Sequence, residues 1–178
     1  MVDLAEIQAT YYMVAATGVL VAAAFYILNL RETTRNRLIS QTNTLLQTFM
    51  SEGGQKSWGE LLNMEWRDYE DFEKKYGSDY NLDNFAKRQS LFYQFDTLGH
   101  MLRKGLADRE TLYNTTGIAA SWTWTKFKSI LSENRRRYAG RDVFTGFEYL
   151  AGEMMKMKHL RDPSYNIPEM FARYVPNE

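Results

Sequence analysis

Between Ile7 and Leu30 the chain runs for 24 residues without one Asp, Glu, Lys or Arg. As a helix rising 1.5 Å per residue, that run is about 36 Å long. Roughly 20 apolar residues suffice to cross the hydrocarbon core of a bilayer. A secretory signal would open on basic residues, carry a shorter apolar core and end at a small-residue cleavage site. Here Asp3 and Glu6 precede the run, and Arg31, Arg35 and Arg37 follow it. A buried core helix of this length would need a larger protein around it. The run is therefore expected to be a transmembrane helix.

The flanking charges give it a direction. Lys and Arg concentrate on the cytoplasmic side of a span, and all of them lie after this one. The sequence predicts residues 1–6 outside, a span over 7–30, and the rest in the cytoplasm of a cell carrying the protein in its inner or plasma membrane. Tyr11, Tyr12 and Tyr26 suit the two interfaces. Within the span, Gly18 and Ala22 stand one turn apart, with Ala15 close by. Small residues let a second helix approach closely, and in lipid that packing drives association. The expected partners are membrane lipid and an integral membrane complex, with self-association left open.

The remaining 148 residues read as helices throughout. Mean hydropathy over the whole chain is −0.49, so the bulk is not polytopic. Leu38, Thr42, Leu45, Leu46, Phe49 and Met50 recur at helical spacing, and no Pro or Gly separates them from the span. One long helix is expected to continue to Ser51–Gly54. Ser57 and Glu60 have capping-box spacing. They predict a second helix that carries Trp58, Leu62, Trp66, Tyr69, Phe72 and Tyr76 to Gly77. Further helices are expected over 83–104, from Asp108, after Gly117, and around Phe147. Phe95, Trp122 and Phe147 are expected to meet in the core. No stretch alternates long enough for a sheet. The predicted fold class is all-α: a single transmembrane helix continuing into a cytoplasmic helical bundle over 31–162, with an irregular tail over 163–178.

Little in the sequence carries chemistry. Cysteine is absent and the two histidines, His100 and His159, have no neighbouring partner at ligand spacing. The acidic run Glu65, Asp68, Glu70, Asp71 and Glu73 reads as a solvated helix face. No phosphate loop, GxSxG elbow or HExxH occurs. Neither an enzyme nor a bound cofactor or metal is expected. Residues 84–178 hold 15 basic and 10 acidic side chains, and 51–83 hold 4 and 9. The densest basic spot is Arg135, Arg136 and Arg137 with Arg141, next to Trp122, Trp124, Lys126 and Lys128. Basic and aromatic side chains together can grip a nucleotide. Arginines at a helix end equally complement its dipole. With net charge zero, nucleic acid is not an expected partner.

The stretch "FDTLGHMLRKGLADRETLYNTTGIAASWTWTKFKSILSENRRRYAGRDVFTGFEYLA", Phe95 to Ala151, resembles an uncharacterised prokaryotic domain-of-unknown-function family. The shared pattern is an aromatic-rich helix, a G-I-x-x-G-L-x-D-like turn, a Trp-bearing helix ending in basic residues, and an "FEYLA" helix. The sequence departs from it at "LRKGLADRET", where Arg103 and Lys104 add charge. The resemblance implies one N-terminal span followed by a helical cytoplasmic domain, and supplies no catalytic residue. Two roles are left open. One is a non-enzymatic accessory or stabilising subunit of a larger membrane complex. The alternative is a membrane-tethered sensor that binds a nucleotide signal through the Trp122–Arg141 region.

Overall fold

A computed structural model describes residues 4–140 and 142–174, and every described element is helical. The chain divides into two units, residues 1–40 and 41–178. Helix α1 (Leu4–Met50) belongs to both. Its first part buries nothing: the apolar window is wholly exposed, with Val14, Leu20 and Phe25 each about two-thirds or more open. By length and composition this helix can cross a membrane.

The second unit begins with the last turns of α1, where Thr42, Leu46 and Phe49 are buried at the predicted helical spacing. Ser51 then ends one helix and starts the next. Its hydroxyl donates to the Thr48 carbonyl (2.7 Å) and accepts from the Gly54 amide (3.1 Å). Gly54 lies so close to the end of α1 that a Cβ would overlap the Thr48 and Phe49 carbonyls. So α2 (Glu52–Leu62) opens five residues before the predicted Ser57 cap and includes Gly53 and Gly54, where the first helix is expected to stop.

The predicted helix through Gly77 is two helices. It breaks after Leu62, and α3 (Tyr69–Tyr76) restarts on an Asp68 cap that accepts from the Asp71 amide (2.8 Å). The break lets Trp66 turn inward against Phe72 and Phe127, with ring centroids 5.1 Å away in both cases. Breaking a helix leaves its last carbonyls without partners. Buried cations supply such partners, one at the break and one at the far end of α3. Lys126 Nζ donates to the Leu62 carbonyl (2.6 Å) and Arg88 to that of Tyr76 (3.1 Å).

Helix α4 (Leu82–Arg103) is the central element and α7 (Thr145–Arg161) packs most extensively on it. Between them, α5 (Arg109–Thr116) starts on the predicted Asp108 cap, which accepts from Thr111 (2.7 Å). Gly117, at φ +56°, takes the turn into α6 (Ala119–Asn134). A single π turn, Arg135–Ala139, extends α6. The core is a chain of rings. Phe49 meets Phe95 at 5.4 Å, Phe95 meets Phe147 at 5.1 Å, and Phe147 meets Phe92 at 5.5 Å. Trp124 completes this cluster, 5.1 Å from Phe147. The expectation that Trp122 would do so is corrected: two positions apart on a helix, the tryptophans face different neighbours. The tail expected to be irregular contains one further turn, α8 (Glu169–Ala172), with Phe171 buried.

Candidate functional site

The residues singled out in the apolar run, Ala15, Gly18 and Ala22, are all exposed, and a Cβ on Gly18 would meet nothing within 4 Å. Arg31, Arg35 and Arg37 are likewise exposed on α1. This part of the chain offers a smooth apolar rod with small residues on one face and cations after it.

The arginine cluster looks different once folded. Arg135 donates from Nε to the Val143 carbonyl (2.7 Å) and from Nη1 to Glu148 (2.9 Å), and lies 5.4 Å over the Trp124 ring. Arg136 and Arg137 converge on Glu133, at 2.5 and 2.6 Å. Arg137 also reaches Glu70 (2.9 Å) and stacks 4.2 Å over Tyr69. Hydrogen bonds from both arginines hold the Glu133 carboxyl down at about 2. Arg135, Arg136 and Arg137 are thus bound to carboxylates from α3, α6 and α7. Trp122 and Trp124 do not share a surface with each other. Arg141 lies outside the described residues.

What the structure assembles instead is a groove along α6. Trp122 is stacked between Trp58 of α2 (6.3 Å, 3° between planes) and Phe171 of α8 (5.2 Å, 25°). One turn on along the same face is Lys126, 1% exposed. Its ammonium sits 5.3 Å from the Trp66 ring and 4.7 Å from the Tyr174 ring, positions that favour a cation over π density. Burial pushes the Lys126 amine down to about 8; nearby Arg173 adds to this and Glu65 opposes it. A further turn along α6, Ser129 and Ile130 wall an open cleft of about 560 Å³ whose other sides include Trp66, Tyr69 and Tyr174. The Tyr69 hydroxyl donates to Asn134 (2.5 Å), and burial raises it to about 12.

Sequence reasoning placed Lys126 in the basic patch and missed this groove. The signal available was the spacing Trp122, Lys126, Ser129 and Ile130, which puts all four on one helix face. The partners on α2, α3 and α8 are not visible in any local window.

Fold and site together define an all-helical protein with one exposed apolar helix and a bundle with an aromatic groove. A family model described as a domain of unknown function, DUF4760, matches residues 13–154, and the chain belongs to that family. The stretch Phe95–Ala151 lies inside the match. Comparison with curated proteins and with solved structures found no match.

Proposed function

We propose that this protein is a non-enzymatic, single-pass membrane protein that serves as an accessory or stabilising subunit of a larger integral membrane complex. The observation that carries the reading is α1. An apolar helix with none of its window buried against its own chain requires an apolar surrounding. The Arg31, Arg35 and Arg37 charges orient it with the N-terminus outside and the bundle in the cytoplasm. Ala15, Gly18 and Ala22 offer the face for a neighbouring helix, because lipid tails compete equally for every other apolar surface. Pairing of the described Arg135–Arg137 side chains with carboxylates favours this role over nucleotide sensing.

The test is gentle detergent extraction followed by mass spectrometry of co-migrating proteins, for the native chain and for a Gly18→Leu, Ala22→Leu double variant. The variant keeps the helix apolar and should still insert. It should leave the complex, whereas Val19→Leu should stay. Co-purification of the double variant with unchanged partners would remove this face as the contact. A C-terminal reporter active only outside the cytoplasm would overturn the orientation.

A further inference from the structure

The groove on α6 is already occupied by the chain itself. Residues 165–174 lie along it. Tyr165 accepts from Trp122 Nε1 (2.7 Å), Phe171 stacks on the same indole, and Tyr174 covers Trp66 with ring centroids 4.3 Å apart. Arg173 clamps the end by donating to Glu65 (2.8 Å).

Three observations separate this segment from the body beneath it. Every backbone–backbone hydrogen bond described for residues 165–174 stays within residues 162–174, so side chains fasten it and no ladder must break for it to leave. Phe171 is 3% exposed yet stands outside the contiguous core cluster, and Tyr174 touches that cluster only from its edge as a partly buried residue. The groove residues Trp58, Glu65, Trp66, Trp122 and Lys126 all lie within the family match at 13–154, and the segment lies beyond it. Short peptides are commonly recognised in this manner, by side-chain anchors set into pockets on a rigid face.

We propose that the α6 groove is a docking site for a peptide segment of a partner protein presenting an aromatic–x–arginine–aromatic sequence, and that residues 165–174, ending in Phe171-Ala172-Arg173-Tyr174, are a built-in competitor that holds it closed. Trp122 takes the first ring and Glu65 the arginine. The second ring closes over Trp66 and Lys126. Because the competitor is tethered, its effective concentration is of order millimolar, and a free peptide enters only when the tethered one is weakened. The inference does not depend on the membrane role.

The experiment uses the full chain in detergent and a fluorescein-labelled peptide copying residues 163–174, read by anisotropy. Arg173→Glu sets two carboxylates against each other at an exposed position and should leave the fold intact. It should raise affinity for the peptide about tenfold or more over the native chain, since like charges at a rim disfavour the closed pairing. Adding Glu65→Arg rebuilds the pair in reverse and should return binding to the native level. Replacing the peptide's phenylalanine by alanine should abolish binding. Equal, weak binding by native, Arg173→Glu and Phe171→Ala chains would overturn the proposal. So would loss of the near-UV circular dichroism of Phe171→Ala, because a competitor must leave without unfolding the groove. A cross-link from the segment of one native copy to the groove of another would make a second copy the occupant, and would also overturn it.

Discussion

Gly99→Ala should destabilise the bundle, although alanine is the better helix former. Gly99 of α4 faces Gly146 of α7, and a Cβ there would overlap the Gly146 carbonyl and its carbonyl carbon. These are backbone atoms and cannot rotate aside, so the helices must separate. Their separation would strain the Phe147 amide, which donates to the Asp96 carboxylate (3.0 Å), and the Phe95–Phe147 stack beside it. Overpacking of this kind costs about 1–3 kcal/mol, and a backbone clash belongs at the upper end. Helix propensity returns up to about 1 kcal/mol. The net expectation is a loss of about 2 kcal/mol, or roughly 4–8 °C in Tm for a unit of this size. Gly152 is the internal control. It lies on α7 with nothing within 4 Å of an added Cβ, so Gly152→Ala should gain up to about 1 kcal/mol. The assay is thermal unfolding of the detergent-solubilised chain, followed by tryptophan fluorescence. If Gly99→Ala raises Tm as Gly152→Ala does, the α4–α7 backbones are not in contact and the reasoning fails.

Other expectations concern Phe147, Trp122 and the buried lysine. Phe147→Ala, at a fully buried position ringed by Phe92, Phe95 and Trp124, should cost about 3–5 kcal/mol. Trp122→Ala, at a partly buried site, should cost less than Phe147→Ala in the same denaturant titration; the reverse order would restore Trp122 to the core. Lys126 is held at about 8, below the 10.5 of a free lysine. Between these values the unfolded chain keeps a proton that the folded chain has released, so stability should rise with pH. From pH 8 to 9.5 the gain should be about 1–2 kcal/mol, and Lys126→Met should abolish it. A native chain with no such slope would refute the buried position of the amine.

The apolar run was legible because both of its properties are local. Charge-free length and flanking arginines need no knowledge of what the chain packs against. All-helical class was legible for the same reason, as were the Asp108 cap and the Gly117 turn, whose chemistry acts within one helical turn. The second predicted helix failed where a distant neighbour outweighed local periodicity. Trp66 lies on the expected stripe, but Phe127 of α6 draws it inward and the helix breaks around it. The broken end at Leu62 is then satisfied by Lys126, from α6.

The same physics governed the surface. In the sequence, Arg135, Arg136 and Arg137 are a cluster of positive charge. In the fold, Glu148, Glu133 and Glu70 stand against them, and Glu70 and Glu148 come from other helices. A charge's ligand-binding capacity depends on the nearest opposite charge, and separation along the chain does not fix that distance. Helical phase determines that Trp122 and Trp124 diverge; which of them enters the core is decided only by where α7 brings Phe147. The sequence by itself determined a helical protein with one long apolar helix. Tertiary structure alone decided the α6 groove, because its walls come from α2, α3, their connection and α6, and its cover from residues 165–174, brought together by the burial of rings far apart in the chain.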